Sequence, residues 1–254
     1  MTGKAGAPVE RPPFFGSTRG IPEMALGPFY VAQKLSRGEG MRGIVLLMRH
    51  GETAWNREGR VMGQSPVELN ERGRAQVEAA APFARLIGPE IIVTSPLLRA
   101  RQSAEIIARA LGGIEVVDEP GLEEVRYGRW QGMVYEDLLA DAEYKRYRDH
   151  PLTMPTPGGE TIGQVQERGV NAVRRALEAN PGKRVLFVSH GDIIRTVLCH
   201  FMSLELQHFR RIRIDNATFS AVQVAGDFAE LKFLNLLPDP ERAFVSPFAR
   251  PKKN

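Results

Sequence analysis

Short apolar runs and longer amphipathic segments alternate along most of the chain. The short runs are rich in Val, Ile, Leu and Phe, which predicts strands, and the longer segments repeat apolar residues every three or four positions, which predicts helices. The predicted strands are residues 44–48, 90–94, 114–117, 184–189, 219–224 and 231–236. The predicted helices are residues 71–86, 96–111, 135–148, 161–179 and 191–202.

Turn-forming and capping residues mark the ends of these elements. Asn70 is expected to cap one helix, and Ser95-Pro96 is expected to open the helix that Gly112-Gly113 ends. Strands that alternate with helices predict an α/β fold, a three-layer sandwich in which helices cover both faces of a mostly parallel sheet. The last two strands follow each other without a helix and can form an antiparallel edge.

The two ends of the chain lack this pattern. The first 40 residues show no sustained periodicity and carry five prolines: Pro8, Pro12, Pro13, Pro22 and Pro28. We therefore predict an irregular N-terminal extension over residues 1–42, one domain over residues 43–237, and a C-terminal tail over residues 238–254. The alternative for the extension is a segment that packs on the domain or on a second subunit. Packing on a second subunit would make the protein a homodimer.

Composition narrows the possible partners and the location. The 254 residues are 43% hydrophobic and 25% charged, as in globular proteins, and no apolar run is long enough for a membrane span. A net charge of +4, with arginines spread along the chain, disfavours nucleic acid and favours a small anionic substrate. Cys199 is the single cysteine, and its apolar surroundings predict a buried, inert thiol in a reducing cytoplasm.

Charged and titratable residues follow the predicted parallel strands. Because the carboxyl ends of such strands share one crevice, we expect five side chains to converge there: Arg49, His50, Arg99, Glu124 and His190. Two guanidinium groups can hold a phosphate by charge-assisted hydrogen bonds, and the helix that begins at Gly191 adds backbone N–H groups. An imidazole must attack phosphorus as the free base, and nearby arginines disfavour its protonated form. The set predicts phosphoryl transfer.

The residues around these positions resemble the motifs of the histidine phosphatase superfamily, which includes cofactor-dependent phosphoglycerate mutases. The signature is Arg49-His50-Gly51-Glu52-Thr53-Ala54-Trp55-Asn56. Further matches follow in the family's order at residues 94–100, 122–128, 157–161 and 188–191. The resemblance covers about residues 43–237 and implies a phosphoglycerate mutase-like fold for that catalytic domain.

The resemblance also implies a role for each matching residue. His50 is the nucleophile that becomes a phosphohistidine, and Arg49, Arg99 and His190 form the phosphate pocket. Glu124 gives a proton to the leaving oxygen and then activates water. No metal ion and no cofactor are expected, because the arginines stabilise the charge that a metal would otherwise stabilise.

Other residues are assigned less directly. Asn56 is a further binding residue by the resemblance, and we also assign Gly191, Arg126 and Tyr127 to substrate binding. Glu123 competes with Glu124 for the acid role, but the spacing to the following Tyr-Gly pair favours Glu124. Three remaining histidines match no family motif and are expected to have surface or structural roles: His150, His200 and His208. His200 and His208 also fit no zinc spacing with His190.

Mutases and phosphatases of this family share the first chemical step. The interval of 66 residues from Glu124 to His190 (190 − 124) looks short for a mutase, and the motif at residues 157–161 is common among the phosphatases. We therefore predict a phosphomonoester hydrolase of the phosphatase branch. A phosphoglycerate mutase that depends on 2,3-bisphosphoglycerate is the alternative, and a protein phosphatase or a non-catalytic phosphate-binding module are further ones.

The expected substrate is a small phosphorylated metabolite, because residues 125–160 are long enough to form a lid over the pocket. Met62 and Gln131 depart from residues frequent in the family, so specificity cannot be transferred from it. Three cationic residues of this region favour a substrate with a second anionic group: Arg126, Arg129 and Lys145.

Overall fold

The computed structural model describes residues 41–236, so all but the last two residues of the predicted extension, and the whole predicted tail, lie outside the described residues. The strands are β1 (Arg42–Arg49), β2 (Ile91–Thr94), β3 (Val116–Asp118), β4 (Arg184–Ser189), β5 (Phe219–Ala225) and β6 (Phe228–Leu236). The α-helices are α1 (Ala54–Arg57), α2 (Glu71–Ile87), α3 (Leu98–Ala110), α4 (Tyr135–Ala140), α5 (Ala142–Asp149), α6 (Ile162–Ala179) and α7 (Gly191–Phe201). Short 3₁₀ turns cover Pro120–Leu122, Gly128–Trp130 and Leu206–Arg211.

The strands form one six-stranded sheet in the order β3-β2-β4-β1-β5-β6. The first four strands in that order are mutually parallel, whereas β5 runs antiparallel to both β1 and β6. The predicted mostly parallel sheet with an antiparallel edge is therefore confirmed. In the centre, Arg49 of β1 pairs with Ser189 of β4, so the two strands end side by side.

Both faces of the central strands are buried. On β1, Val45 and Leu47 pack in the cluster that includes α6 and α7, whereas Leu46 and Met48 pack in the cluster that includes α2 and α3. Alternate residues of a strand point to opposite faces, so helices cover the sheet on each side. This arrangement confirms the three-layer sandwich. No helix among residues 41–236 has the length and apolar character that crossing a membrane requires.

Local hydrogen bonds moved some element boundaries from their predicted positions. The predicted helix over residues 135–148 is two helices, because the Asp141 side chain accepts hydrogen bonds from the N–H groups of Glu143 and Tyr144 and so caps a new helix. The predicted start at Ser95-Pro96 is wrong, since α3 begins at Leu98 without a side-chain cap. The helix α1 was not predicted.

Candidate active site

The pairing of β1 with β4 brings two histidines to the same point of the sheet. His50 and His190 each follow the last residue of their strand, and the N–H of His50 donates to the carbonyl of Ser189 at 3.0 Å. The two ring centroids lie 5.2 Å apart, and both side chains are buried. The predicted convergence of these histidines is thus present in the structure.

The hydrogen bonds of His50 define which ring nitrogen is free to react. Nδ1 lies 2.7 Å from the carbonyl oxygen of Gly51, and a carbonyl can only accept, so Nδ1 carries the proton. Nε2 therefore holds the lone pair, and it accepts a hydrogen bond from Arg99 Nε at 3.3 Å. Attack by Nε2 on phosphorus requires this hydrogen bond to pass from the imidazole to a phosphoryl oxygen.

The residue after His50 must be a glycine because helix α2 packs against it. A Cβ at Gly51 would lie 2.4 Å from the carbonyl oxygen of Gly73, which no side chain tolerates. The N–H of Gly51 donates to Ser103 Oγ at 3.1 Å, and that hydroxyl donates to the carbonyl of Arg99 at 2.7 Å. These contacts set the position of α3 relative to the nucleophile.

Arg99 is fully buried, and most of its donors are used inside the protein. Nη1 donates to the carbonyl of Ser65 at 3.1 Å and Nη2 to the carbonyl of Gly63 at 2.7 Å, which leaves Nε facing His50. Burial lowers the pKa of Arg99 to about 10, although Glu124 partly offsets this effect. Because this pKa lies well above 7, the guanidinium keeps its positive charge at neutral pH.

Two buried nitrogen atoms of the site have no hydrogen-bond partner among residues 41–236: Arg49 Nε and His190 Nδ1. Arg49 Nη1 donates to the carbonyl of Ile214 at 2.8 Å, which holds the guanidinium in place. His190 Nε2 lies 2.8 Å from Ser95 Oγ, which already accepts from the N–H of Leu97. The Ser95 hydroxyl is then best used as a donor to Nε2, which leaves the proton of His190 on Nδ1.

A buried hydrogen-bond donor without a partner lowers the free energy of unfolding by about 1–3 kcal/mol unless a ligand or a water molecule accepts a hydrogen bond from it. Arg49 Nε and His190 Nδ1 thus offer an anion two donors, next to the reactive nitrogen of His50. A phosphoryl group is the anion that this set of donors suits.

Burial and nearby positive charge act together on the two histidines. Desolvation first, and then Arg99 and Arg49, hold the pKa of His50 well below its usual 6.5. Desolvation, then Arg99 and His50, do the same to the pKa of His190. Both rings are therefore neutral at pH 7, as a nucleophilic imidazole must be.

These lowered pKa values predict a pH dependence of stability. In the unfolded chain each histidine takes up a proton near pH 6.5, whereas in the folded protein it does so only at lower pH, so the free energy of unfolding falls as the pH drops below about 6.5. Each histidine contributes a slope of up to about 1.4 kcal/mol per pH unit. In the His50→Asn variant, denaturant titrations between about pH 5.5 and 7 should show a slope smaller by up to that amount. Equal slopes in both proteins would contradict the expectation.

Glu124 packs against the beginning of α7, the helix that follows His190. Its Oε1 accepts from the N–H of Val125 at 3.1 Å and its Oε2 from the N–H of Asp192 at 3.4 Å. Burial, and then the negative charge of Asp192, raise the pKa of the Glu124 carboxyl. A raised pKa favours the protonated carboxyl that a general acid requires. Glu124 lines the cavity described below, whereas Glu123 does not.

A partly buried ion pair between Arg168 of α6 and Glu160, which precedes that helix, holds the loop that carries Glu124. The guanidinium of Arg168 donates to the backbone carbonyls of Gly121, Glu123 and Glu124 at 3.0, 2.5 and 3.1 Å. The same guanidinium binds both carboxylate oxygens of Glu160, at 3.0 and 2.7 Å. Glu160 belongs to the motif at residues 157–161, but the sequence contained no signal for the part played by Arg168.

Replacing Arg168 with lysine should misplace the Glu124 loop, because one ammonium cannot make the planar set of hydrogen bonds that the guanidinium makes. We expect kcat to fall roughly 10- to 100-fold, with KM changed far less, since a small displacement of a catalytic group is costly. The acid–base limb that Glu124 contributes to the pH profile should shift as well. Steady-state kinetics against the Arg174→Lys variant, an exposed arginine of the same helix, would test this. A similar fall in both variants would argue against a positioning role.

The remaining sequence-predicted residues divide into two groups. Asn56, Tyr127 and Gly191 line the cavity, and the Tyr127 hydroxyl donates to Asp192 Oδ2 at 2.5 Å. The side chain of Arg126 is exposed and is not part of the lining, so the structure does not bring it to the site. Its backbone N–H instead donates to Glu160 Oε1 at 2.9 Å. Substrate binding by Arg126 finds no support in this placement.

A cavity of about 290 Å³ is lined by Arg49 and Gly191, the chain neighbours of the two buried histidines, whereas His50, Arg99 and His190 are not themselves part of its lining. Arg49 and Glu124 line it together with residues that the sequence did not single out for the site: Trp55, Gly59, Arg60, Val61, Gly63, Tyr135, Leu138, Asp192 and Arg195. Tyr135, Leu138 and Tyr144 belong to α4 and α5, so the predicted lid region does contribute a wall. Nothing in the periodicity of these residues separated them from ordinary surface or core positions.

The histidines outside the site have separate surroundings. His200 Nε2 lies 3.1 Å from Arg174, and His208 pairs with Glu205. In the part of the chain that the structure describes, no group of three or more His, Cys, Asp or Glu side chains is arranged to hold a metal ion. Cys199 is buried, as predicted.

Comparison with known proteins identifies the family. The model for the histidine phosphatase superfamily (branch 1) matches residues 45–237. A probable phosphoglycerate mutase of Cronobacter sakazakii is 36% identical over 181 residues, which are 70% of this chain and 83% of that protein. Phosphoserine phosphatase 1 of Hydrogenobacter thermophilus is 29% identical over 182 residues, 71% of this chain and 86% of that protein.

Solved structures agree with these sequence matches. A mycobacterial glucosyl-3-phosphoglycerate phosphatase superposes with a TM-score of 0.69 at 27% identity, over 76% of this chain and 98% of that one. A phosphoserine phosphatase of Entamoeba histolytica gives 0.69 at 26% identity, over 76% and 96%. The chain belongs to the histidine phosphatase superfamily. It is an enzyme of that class, whose relatives include both phosphatases and phosphoglycerate mutase-like proteins.

Proposed function

We propose that the protein is a metal-independent phosphomonoester hydrolase that forms a phosphohistidine on His50 and acts on a small phosphorylated metabolite. One observation carries the proposal: a neutral imidazole, with its lone pair on Nε2, is buried beside Arg99. Arg49 Nε and His190 Nδ1, which have no hydrogen-bond partner within residues 41–236, belong to the same site. This arrangement offers a nucleophile and a set of anion donors at one point.

In the first step, His50 Nε2 forms a bond to phosphorus as the bond to the ester oxygen breaks. Negative charge on the equatorial oxygens is stabilised by Arg49, Arg99 and the donor on His190. Glu124, whose buried carboxyl has a raised pKa, gives its proton to the leaving oxygen. The alcohol departs and the phosphoryl group stays on His50.

In the second step, the ionised Glu124 takes a proton from a water molecule that attacks the phosphorus. The bond from phosphorus to His50 Nε2 breaks, inorganic phosphate leaves, and His50 is again a neutral base. The N–H groups at the beginning of α7 add partial positive charge near the transferred group.

The charges around the cavity favour hydrolysis over mutase activity. A mutase of the alternative type must hold a bisphosphate, which needs free cations beyond those around the histidine. Apart from Arg49, the arginines that line the cavity are Arg60 and Arg195, and each is bound to a carboxylate. Mutase activity stays the second candidate because relatives such as the Cronobacter sakazakii protein are named probable phosphoglycerate mutases.

A screen of phosphorylated metabolites in the presence of a chelator tests the proposal. Release of inorganic phosphate, with a labelled phosphoryl group trapped on His50, is the expected result. Parallel reactions with 2,3-bisphosphoglycerate and 3-phosphoglycerate would reveal mutase activity as isomerisation that depends on the bisphosphate. That outcome, or hydrolysis that requires an added metal ion, would overturn the assignment.

A further inference from the structure

Aromatic and aliphatic side chains form much of the cavity wall away from the phosphoryl donors. They come from three separate segments: Trp55 on α1, Val61 and Met62 in the following loop, and Tyr135, Leu138 and Tyr144 on α4 and α5. The rings of Tyr135 and Tyr144 meet edge to face with centroids 6.1 Å apart. A leaving group that entered the cavity would contact these surfaces.

Backbone hydrogen bonds fix the walls relative to each other. Val61 donates to the carbonyl of Met133 at 3.0 Å, Gly132 donates to the carbonyl of Val61 at 2.8 Å, and Tyr135 donates to the carbonyl of Gly59 at 2.8 Å. The loop after α1 and the start of α4 are therefore joined as a small ladder. A cavity held in this way loses little entropy when a ligand binds, so its shape and chemistry select the ligand.

The charged groups of the outer cavity neutralise each other. Arg60 Nε donates to Glu58 at 2.6 Å, and Arg195 Nη1 donates to Asp192 Oδ1 at 2.6 Å. Arg195 Nε is also used, by the carbonyl of Ile212 at 2.8 Å. A second anionic group on a substrate would find Arg60 and Arg195 already paired with carboxylates, so it would lose its hydration without gaining an unpaired cation.

The cationic residues predicted to hold a second anion are not at the cavity. Arg126 and Lys145 are exposed, and Arg129 binds Asp141 and Glu143, so none of the three is part of the lining. Arg210, whose charge acts on Asp192, packs over the rings of Phe209 and Tyr147 and is also outside the lining.

From these contacts we infer that the preferred leaving group is an uncharged alcohol that carries an aromatic ring, and not a phosphorylated carboxylate. The inference rests on the proposed hydrolase function and names its substrate class. A ring that packs against Trp55 and Tyr135 gains apolar burial together with edge or offset stacking. The cavity of about 290 Å³ has room for such a group beside a phosphoryl group.

Three phosphate esters separate the effect of an aromatic ring from the effect of a second charge: benzyl phosphate, 4-carboxybenzyl phosphate and cyclohexylmethyl phosphate. Their leaving alcohols have similar acidity, so differences in rate report binding in the cavity. We expect kcat/KM for benzyl phosphate to exceed that for the carboxylated ester by about tenfold or more, because the added carboxylate loses its hydration in a cavity whose outer arginines are already paired. The kcat/KM for benzyl phosphate should exceed the kcat/KM for cyclohexylmethyl phosphate by about two- to tenfold, because only the aromatic ring can stack on the cavity wall. 3-Phosphoglycerate and phosphoserine should rank with the carboxylated ester.

Two variants connect these preferences to named residues. In Asp192→Asn the ratio of kcat/KM for benzyl phosphate to kcat/KM for 4-carboxybenzyl phosphate should fall about tenfold or more, because Arg195 loses its carboxylate partner and can bind the substrate carboxylate. Any effect of the substitution on Glu124 acts on both esters and cancels in this ratio. In Tyr135→Leu, whose side chain is 48% exposed and can be replaced without disturbing the core, the benzyl-over-cyclohexyl ratio should fall about two- to tenfold. Phe228→Leu, an exposed aromatic on β6 outside the cavity, is the matched control and should leave both ratios unchanged.

The outcomes distinguish the inference from the function beneath it. Hydrolysis of every ester through His50, with 3-phosphoglycerate or the carboxylated ester preferred, would overturn the inferred leaving group and leave the hydrolase intact. Equal kcat/KM values for benzyl and cyclohexylmethyl phosphate would contradict the inferred preference for an aromatic ring. If no ester is hydrolysed and none labels His50, the hydrolase function itself fails.

Discussion

Replacing His50 with alanine is expected to lower kcat by at least about 10⁴-fold and to abolish the phosphorylated intermediate. Neither arginine of the phosphate pocket, nor the second histidine, is suited to take over the bond to phosphorus. Arg49 and Arg99 are cations without a lone pair to donate, and His190 directs its Nε2 to the hydroxyl of Ser95. The loss should appear in kcat and in the labelling of the protein by a phosphoryl donor.

The folded state of this variant must be checked separately, because His50 is buried and its ring packs near His190. Thermal unfolding and circular dichroism should show a folded protein, and His50→Asn, which fills more of the same space, should be equally inactive. His150→Ala, an exposed histidine outside the cavity, is the control and should keep full activity. Turnover close to that of the wild type in His50→Ala would remove the basis of the proposed mechanism.

Replacing Glu124 with glutamine is expected to lower kcat for alkyl phosphates by about 10²–10⁴-fold, the usual contribution of general acid catalysis. Glutamine has the shape of the protonated acid but cannot give up a proton to the leaving oxygen. An aryl ester with an acidic phenol as leaving group needs little protonation, so phosphorylation of His50 by such an ester should be much less affected. A pre-steady-state burst followed by slow turnover would then report the missing base of the second step.

The neighbouring residue provides the matched control for this prediction. Glu123→Gln removes the same charge one position earlier, but Glu123 does not line the cavity, and its backbone carbonyl, which is unchanged, makes the contact to Arg168. Activity should stay within about threefold of the wild type, as for a substitution without a catalytic role. If Glu123→Gln were the damaging change and Glu124→Gln were mild, the acid would have been assigned to the wrong residue.

The sequence by itself determined the fold class and the centre of the site. Alternating strands and helices predict a sheet with helices on both faces. Residues at the carboxyl ends of parallel strands lie at one edge of that sheet, so Arg49, His50 and His190 could be located from their positions in the sequence alone. The contact of Gly51 with α2 and the helix break at Asp141 depend on local backbone geometry, which the pattern of hydrophobic positions does not specify. Glu124 was separated from Glu123 by motif spacing, and the cavity lining agrees with that choice.

Only the tertiary structure decided which distant side chains share a surface. Arg168 holds the Glu124 loop from a helix more than 40 residues further along the chain, and Asp192 neutralises Arg195 at the cavity that Tyr135 and Trp55 line. Arg126 was predicted to bind substrate and lies within the motif at residues 122–128, yet its side chain is exposed and is not part of the cavity lining. The physical reason is that periodicity records whether a side chain is buried or exposed, whereas charge pairing and the shape of a cavity arise from contacts between segments that the sequence keeps apart.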